Sequence, residues 1–521
     1  MSLRHIHDFE LSLLDCCLAM SSRGIRIDEA RRVRMLADLE GERAAILPAL
    51  ETFVVEGVLP KFAERLNGRA HLFTERRVCA CCRNGKAKRV ACWACAGFEA
   101  KPTKRALQLR AVDDTPLWSG AILEHVEGSN PICVLPVCTK CNGAGAFERL
   151  VFNPASPEQV KIVLYDLLRL PARTKDGKLT TDAKALKSLL AEAKPDAHAF
   201  IMQLLRLTKL DSIAEHLTRI APGEDGRIRS IYNPAGTETG RFSSSESFLF
   251  VSTNLNNLPK REVTEARFNV KACCIPDDGH VFIEADFSGA EAWVTACCSQ
   301  DFELLDVLRS GAKIHRWTAA RALGKPEAEV TEQEYSLYKT ARHALNYGMQ
   351  WKTFVENVNF VADRTGVAIT AAAGKTTCDN YHTLHSKLAG VWWKDVQAKL
   401  VQPSASITTC FGRKRVFYGR NKGEWLGQTH REAIAFEPQS TIADLLNRGL
   451  LRWWRQHDGK VGSLLAQVYD SVLIEVPRER AQLAAQLVQR CLTEEIEVHG
   501  IRITVPVDVK VLESWAVKEA A

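Results

Sequence analysis

V-F-I-E-A-D-F-S-G-A-E, at residues 281 to 291, joins an apolar strand pattern to a turn of small residues. The strand pattern ends in Asp286, and Glu291 opens the segment that follows the turn. A carboxylate at the end of a buried strand is unfavourable unless a positive group compensates it. A hard divalent cation such as Mg²⁺ is the usual partner of such oxygen atoms. The stretch therefore predicts that Asp286 is half of a metal site.

The other half of this site is predicted at Asp470, in L-L-A-Q-V-Y-D-S-V-L-I-E-V-P at residues 464 to 477. Two strand patterns with Tyr469, Asp470 and Ser471 between them indicate a β-hairpin. Sites that handle phosphates commonly use one or two protein carboxylates for Mg²⁺. Taken alone, each aspartate is better explained as a solvated turn residue, so the pairing depends on a third segment.

That third segment is Y-S-L-Y-K-T-A-R-H-A-L-N-Y-G-M-Q-W, at residues 335 to 351. Lys339, His343, Tyr347 and Trp351 follow one another at steps of four, which on a helix places them on one face. A face that runs from a cation through an imidazole to two aromatic rings suits a triphosphate at one end and a base at the other. A core helix would require that face to be apolar.

These three segments resemble motifs A, B and C of the family A DNA polymerases, in the family's order: D-F-S-G-A-E (286 to 291), K-x-x-x-H-A-x-N-Y-G (339 to 348) and Y-D-S (469 to 471). Further similarity lies in R-G-I-R-I-D (23 to 28), T-G-R-F-S-S (239 to 244), N-L-N-N-L-P (254 to 259), I-H-R-W-T-A-A (314 to 320) and P-Q-S-T-I-A-D (438 to 444). The resemblance covers nearly all of residues 151 to 521. The K-x-x-x-H form of motif B is most similar to bacteriophage polymerases.

The resemblance implies an α+β fold shaped like a right hand, with an antiparallel palm sheet, helical fingers and thumb, and a small cysteine-rich module. The expected divisions are N-terminal helices at the palm and thumb base (1–66), a zinc-binding insertion (67–150), thumb (151–225), palm with motif A (226–312), fingers with motif B (313–404) and palm with motif C (405–521). The implied activity is template-directed DNA synthesis from a primer 3′-hydroxyl.

The resemblance also assigns roles to individual residues. Two Mg²⁺ ions would be held by Asp286, Asp470 and the carbonyl of Phe287, and Glu291 would exclude a ribose 2′-hydroxyl. Lys339, His343 and His315 would bind the triphosphate, and Tyr347 would stack on the incoming base. The positions that contact primer or template are Arg241, Asn254, Asn256, Arg431, Gln439 and Tyr469. Tyr469 stands where the family normally has histidine.

Residues 67 to 150 contain eight cysteines. Three C-x-x-C pairs are formed by Cys79 and Cys82, Cys92 and Cys95, and Cys138 and Cys141, and Cys81 and Cys133 are additional candidates. Two such pairs complete a tetrahedral zinc site, so one or two structural zinc ions are expected, with the pairing left open. A redox role is the weaker alternative, because three pairs fit ligation better than one catalytic dithiol does.

The same insertion is strongly basic between residues 76 and 110, which favours contact with DNA or with another replication protein. C-W-A-C-A-G and C-T-K-C-N-G-A-G also resemble the zinc-binding units of J-domain chaperones. By contrast, the adjacent pairs Cys16-Cys17, Cys273-Cys274 and Cys297-Cys298 lie in apolar segments and are predicted to be small core residues.

The net charge of +7 is compatible with nucleic-acid binding and does not prove it. The N-terminus lacks the apolar core of a signal peptide, and no run is long enough to cross a membrane. We therefore expect an intracellular, cytoplasmic protein, in the host cytoplasm if a phage encodes it, with no disulfide framework. No residues upstream of the polymerase pattern could house an exonuclease, so intrinsic proofreading is expected to be absent.

Two other functions remain open on the sequence. An RNA polymerase or reverse transcriptase could share this palm, although Glu291 argues against RNA synthesis. An inactive zinc-bearing DNA-binding protein is the alternative from a different class, and the presence of both Asp286 and Asp470 argues against it.

Overall fold

The computed structural model describes residues 3–78, 122–123, 133–134, 146–190, 192–247, 251–259, 266–418 and 426–516. The predicted zinc ligands Cys79, Cys81, Cys82, Cys92, Cys95, Cys138 and Cys141 lie outside these residues, and of Cys133 only the backbone is described. Within the described part of the chain, no helix is both long enough and apolar enough to cross a membrane.

The α-helices of the described residues are, in chain order, α1 (Leu3–Ser12), α2 (Leu14–Arg23), α3 (Glu29–Thr52), α4 (Leu59–Phe62), α5 (Pro157–Lys161), α6 (Ala183–Leu189), α7 (Pro195–Arg219), α8 (Ala290–Cys298), α9 (Phe302–Arg309), α10 (Ile314–Leu323), α11 (Glu332–Leu345), α12 (Trp351–Phe360), α13 (Ala362–Thr365), α14 (Ala371–Leu384), α15 (Lys394–Leu400), α16 (Gln428–Gln456) and α17 (Ala481–Leu492).

The strands of the described residues are β1 (Ile25–Ile27), β2 (Thr74–Val78), β3 (Ile122–Leu123), β4 (Cys133–Val134), β5 (Ala146–Leu150), β6 (Thr174–Lys175), β7 (Lys178–Leu179), β8 (Arg227–Ile228), β9 (Ile231–Asn233), β10 (Ser243–Ser245), β11 (Cys274–Ile275), β12 (His280–Phe287), β13 (Ser406–Thr408), β14 (Lys414–Val416), β15 (Ser463–Val468), β16 (Ser471–Pro477), β17 (Glu495–Val498), β18 (Ile501–Thr504) and β19 (Val507–Leu512). Helices and antiparallel sheets in these proportions confirm the predicted α+β class.

The sheet that carries the predicted metal site has four antiparallel strands in the order β15-β16-β12-β19. Side chains alternate between the two faces of a strand. In β12, Ile283, Ala285 and Phe287 are buried, whereas Glu284 and Asp286 are partly exposed. Helix α17 packs against β12 and β19. One face of the sheet is therefore core, and the other face presents carboxylates.

Contacts divide the chain into two compact units, one formed by residues 1–41 with 209–521 and the other by residues 42–208. The second unit has its own apolar core, in which Phe73, Val163, Leu189 and Ile201 are fully buried. The first unit contains the four-stranded sheet and helices α8 to α17. The domain boundaries expected from the sequence remain predictions.

Helix α11 begins with a capping box in which the Thr331 hydroxyl accepts from the Glu334 amide at 3.2 Å. It ends at Leu345, so the single helix predicted over residues 335 to 351 is wrong. Gly348 has a φ of +74°, and a β-carbon there would lie 2.6 Å from a side-chain carbon of Leu426. This left-handed glycine stops the helix, and a separate helix starts at Trp351.

The three adjacent cysteine pairs predicted to be core residues are indeed buried. These are Cys16, Cys17, Cys273, Cys274, Cys297 and Cys298. Cys298 differs from the others in having a carboxylate and an imidazole as close neighbours.

Candidate active site

The two predicted metal-binding aspartates lie side by side at one end of the four-stranded sheet. Asp286 pairs with Ser471 across β12 and β16, which places it next to Asp470 in the hairpin turn. The Phe287 amide donates to the Asp470 carbonyl at 3.4 Å. Both aspartates are partly exposed. Backbone pairing therefore brings together two aspartates that are 184 positions apart in the sequence.

The hairpin turn that carries Asp470 has an unusual backbone. Tyr469 has a φ of +55°, a region that residues other than glycine rarely adopt. The Gln467 side-chain amide donates to the Tyr469 carbonyl at 2.5 Å, and the Ser471 hydroxyl donates to Val468 at 3.0 Å. These bonds hold a left-handed residue beside the predicted metal-binding carboxylate of Asp470, and the Tyr469 side chain is 45 % exposed.

A third carboxylate, which the sequence did not identify, lies on the same sheet face. Asp508 in β19 is directly opposite Asp286 in β12. Residues directly opposite one another in an antiparallel pair project from the same face. The alternation V-D-V-K-V at residues 507 to 511 indicates a strand, but only the register shows which residue faces Asp286.

Glu291 lies in the first turn of α8, where the helix dipole favours a negative side chain. The Arg241 guanidinium contacts its carboxylate at 3.0 Å, and the Tyr347 hydroxyl donates to its other oxygen. Burial and the negative charge of Glu291 hold the pKa of Tyr347 well above its usual range. Glu291 is therefore fixed between a cation and a phenol. The structure thus gives Arg241 a partner that the sequence did not suggest.

The backbone at Gly240, next to Arg241, lies against a buried ion pair. Arg413 contacts Asp444 at 2.8 Å and Glu10 at 2.5 Å. Gly240 has a φ of +77° and lies so close to this guanidinium that a β-carbon would be 2.6 Å from its central carbon. The Asn447 amide donates to the Gly240 carbonyl at 2.8 Å. A side chain at residue 240 would therefore displace the Arg413 guanidinium, and only glycine fits this backbone position.

The three residues predicted to bind the triphosphate lie on two neighbouring helices, α10 and α11. The His315 and His343 rings are 5.8 Å apart. Burial, followed by the positive charges of Arg342, His343 and Lys339, lowers the pKa of His315 to about 3. His315 is therefore neutral near pH 7 and offers a hydrogen bond rather than a charge.

Between α10 and α11 lies a buried polar network that the sequence did not reveal. Arg342, which is only 3 % exposed, donates to the Thr318 hydroxyl at 2.6 Å and contacts His385 Nε2 at 3.3 Å. His385 Nδ1 lies 3.3 Å from Asp301, which caps α9. Because arginine only donates, Nε2 accepts and Nδ1 carries the proton that is given to Asp301. The network joins α11 to α10 and to the start of α9.

This network makes a prediction about stability in acid. Burial lowers the pKa of His385 to about 4, from about 6.5 when unfolded. Between these values the unfolded chain binds a proton that the native chain does not, so stability falls as the pH falls from about 6.5 towards 4, by up to about 3 kcal/mol. In denaturant titrations at several pH values, His385→Gln is expected to make this decrease in stability less steep, while His315, whose pKa is also lowered, still contributes to it.

The exposed histidine His7 offers a control, because His7→Gln is expected to leave the slope unchanged. An equally steep decline in His385→Gln and in the parent would contradict the assignment of the acid sensitivity to His385.

Tyr347 lies in the turn after α11, with its ring edge-on to Trp392 at 6.4 Å between centroids. The turn is held through Asn346, whose side-chain oxygen accepts from the Tyr381 hydroxyl at 2.5 Å. The Trp393 indole donates to the Asn346 carbonyl at 3.1 Å. Lys339 and His343 therefore share α11, while Tyr347 lies in the turn that follows and Trp351 begins α12.

The remaining residues predicted to contact DNA lie in loops and at helix surfaces. The Asn254 side chain accepts from the Asn256 amide at 3.1 Å, and Arg431 donates to the Leu426 carbonyl at 2.7 Å. Gln439 is partly exposed on α16. Asn254 and Arg431 therefore also stabilise their own segments.

The chain is similar to known DNA polymerases. The model of DNA polymerase family A matches residues 143–517. DNA polymerase I of Caldicellulosiruptor bescii is 26 % identical over 369 residues, which cover 70 % of this chain and 40 % of that protein. The thermostable DNA polymerase I of Thermus aquaticus is 28 % identical over 370 residues, covering 70 % and 42 %. The chain thus spans about two fifths of the length of these relatives.

Among solved structures, the POL domain of Pol1 from M. smegmatis, in complex with a DNA primer-template and dNTP, has a TM-score of 0.68 with this chain. The two are 20 % identical, and the match covers 97 % of this chain and 70 % of the other. This likeness confirms the polymerase fold that the sequence predicted.

Proposed function

This chain belongs to DNA polymerase family A, and from that premise we propose that it extends a primer 3′-hydroxyl with deoxynucleotides on a DNA template. The observation that carries the proposal is the pairing of β12 with the β15–β16 hairpin, which brings Asp286 beside Asp470. An inactive DNA-binding protein would have no need to maintain this arrangement. The partners are primer-template DNA and deoxynucleoside triphosphates.

Family A polymerases use divalent metal ions, and the residues present fit a pair of Mg²⁺ ions. Asp286 and Asp470 are partly exposed carboxylates at one end of the sheet, with the Phe287 backbone between them. Oxygen atoms of this kind are the ligands that Mg²⁺ prefers. When bound, two Mg²⁺ ions would make the primer hydroxyl more acidic and neutralise charge on the transferred phosphoryl group. Asp508 adds negative charge on the same face.

The nucleotide-binding roles proposed for the other residues come from the family resemblance, and their positions support them. Lys339 and His343 bind the triphosphate from α11, and neutral His315 contributes a hydrogen bond from α10. Tyr347 offers its ring to the base. Glu291, held by Arg241 and Tyr347, occupies the space that a 2′-hydroxyl would need. This arrangement favours DNA synthesis over an RNA polymerase or reverse transcriptase with the same palm.

The proposal assigns residues 151–225 to the thumb, 226–312 and 405–521 to the palm, and 313–404 to the fingers. Residues 1–66 form the base of palm and thumb, and 67–150 form a zinc-binding insertion that contacts DNA or another replication protein. The K-x-x-x-H spacing supports a role in phage DNA replication in a host cytoplasm. Contacts with primer or template are assigned to Arg241, Asn254, Asn256, Arg431, Gln439 and Tyr469.

A primer-extension assay tests the activity. Labelled primer annealed to DNA or RNA template is incubated with Mg²⁺ and with deoxynucleotides or ribonucleotides. Extension with deoxynucleotides on DNA supports the proposal. Preference for ribonucleotides would indicate an RNA polymerase, preference for an RNA template would indicate a reverse transcriptase, and DNA binding without extension would indicate an inactive protein.

Zinc content is a separate prediction of the proposal. The purified chain is expected to carry one or two zinc ions on the cysteines at positions 79 to 141, because closely spaced thiol pairs are typical structural zinc ligands. Elemental analysis of the parent and of a variant in which serine replaces all eight candidate cysteines of the insertion measures this. Iron, or equal zinc in both proteins, would refute the assignment.

Intrinsic proofreading is predicted to be absent, since the sequence shows no second set of strand-end carboxylates. A primer with a mismatched 3′-terminus, incubated with the chain and Mg²⁺ but no nucleotides, is expected to keep its length. If the parent shortens this primer and the Asp286→Ala variant still does so, the chain has a second, exonucleolytic site.

A further inference from the structure

A second cluster of metal-binding side chains lies apart from the proposed Mg²⁺ site. Cys298 is the last residue of α8, Glu437 is in α16, and His499 is in the turn between β17 and β18. One potential ligand atom from each residue lies within 4.8 Å of the other two. His499 Nε2 and a Glu437 oxygen are 2.9 Å apart. Three separate elements therefore bring three different donors to one point.

We propose that Cys298, Glu437 and His499 form a zinc-binding site in the first structural unit. Zinc binds cysteine sulfur at about 2.3 Å and histidine nitrogen or carboxylate oxygen at about 2.0–2.2 Å. The three ligands of a tetrahedral ion are then roughly 3.3–3.7 Å apart, so pairs of atoms within 4.8 Å need to approach by about 1.5 Å at most. A thiolate, an imidazole and a carboxylate suit zinc and do not suit Mg²⁺, which prefers oxygen ligands alone.

Burial and charge support this site. Cys298 and Glu437 are each only 5 % exposed, while His499 approaches from the solvent side. A buried carboxylate requires a positive partner. His499 alone can supply it only when protonated, whereas a divalent ion can compensate both the carboxylate and a thiolate. Three protein ligands leave the fourth position, on the exposed side, to water.

The backbone at His499 also fits a ligand role. Val498 pairs with Ile501, so His499 and Gly500 form a two-residue turn, with φ values of +50° and +78°. This turn type favours Asn-Gly or Asp-Gly. The chain instead has an imidazole there, and the turn brings it to Glu437.

The zinc site would tie the end of α8 to α16 and to the β17–β18 hairpin. Helix α8 carries Glu291 in its first turn and Cys298 as its last residue. At 1.5 Å per residue the two are about 10 Å apart along the helix axis. The proposed ion would therefore anchor the helix that positions Glu291, without contacting the nucleotide pocket.

Metal content of variants of the full chain tests the proposal. Each protein is dialysed against buffered micromolar free zinc, and zinc per chain is measured. His499→Asn removes the imidazole, and asparagine tolerates the left-handed backbone. Cys298→Ser removes the thiol, and Cys297→Ser is the matched control, because Cys297 is a buried thiol on the same helix.

We expect His499→Asn and Cys298→Ser each to contain one zinc ion per chain fewer than the parent, and Cys297→Ser to contain as many as the parent. Zinc on the insertion cysteines is the same in all four proteins and cancels in the comparison. Added zinc is also expected to raise the melting temperature of the parent more than that of His499→Asn. Equal zinc content in all four proteins would overturn the proposal, as would loss of zinc in Cys297→Ser alone.

Discussion

Asp286→Ala and Asp470→Ala are each expected to reduce primer extension by at least ~10³-fold while DNA binding persists. Each substitution removes one carboxylate that is proposed to hold Mg²⁺, and little of the surface that would contact the duplex. A metal ion supplies several kcal/mol of transition-state stabilisation, and about 4 kcal/mol corresponds to ~10³-fold in rate. Single-turnover extension rates and DNA affinities, measured on the same preparations, check the prediction.

Asp278→Ala is the matched control for these variants. Asp278 is a highly exposed carboxylate just before β12 and is paired with Arg26. Its loss is expected to leave extension within about twofold, since exposed ion pairs contribute little. Extension by Asp286→Ala or Asp470→Ala within tenfold of the parent would refute the two-metal assignment.

Tyr347→Phe is expected to leave deoxynucleotide extension largely intact and to lower the use of dideoxynucleotides by ~10²-fold. A dideoxynucleotide lacks the 3′-hydroxyl that makes a hydrogen bond within the bound triphosphate. The family resemblance implies that a phenolic hydroxyl at residue 347 can replace that group, and losing a hydrogen-bonding group in a dry pocket has effects of roughly this size. The ratio of incorporation efficiencies for ddNTP and dNTP, measured for parent and variant, is the test.

The structure places this hydroxyl on Glu291, which gives the test a second readout. Loss of the phenol leaves Arg241 as the only described hydrogen-bond partner of the Glu291 carboxylate. We therefore also expect Tyr347→Phe to discriminate less strongly against ribonucleotides. Tyr165→Phe, which removes a hydroxyl bonded to Thr180 in the other unit, is the control. Equal discrimination by parent and Tyr347→Phe would mean that residue 347 does not face the nucleotide.

The strand that ends at Asp286 and the hairpin around Asp470 could be predicted because their signals are local. A short apolar run defines each strand, and the polar residues between the two hairpin runs define the turn. The proximity of the two aspartates could be inferred only through the family resemblance, because neither segment indicates which strands pair. The register of β12 with β16 supplies that fact.

The residues that the sequence did not reveal act through contacts between distant segments. Asp508 faces Asp286 only because β19 joins the edge of the sheet, and Arg342 is buried because α10 and His385 cover it. The stop of α11 at Leu345 had a local signal in Gly348. The four-residue spacing from Lys339 to Trp351 nevertheless suggested a continuous helix.

The contact of Arg413 with Glu10 has a consequence for how the chain can be shortened. Glu10 is in the first helix, and Arg413 supports the Gly240 backbone next to Arg241, which contacts Glu291. Removing the first twelve residues would take away one of the two acidic partners of Arg413 and leave a buried guanidinium partly uncompensated. The N-terminal helix thus supports the backbone next to Arg241, the partner of the proposed sugar-selecting Glu291, and we expect a deletion there to weaken discrimination against ribonucleotides as well as the stability of the fold.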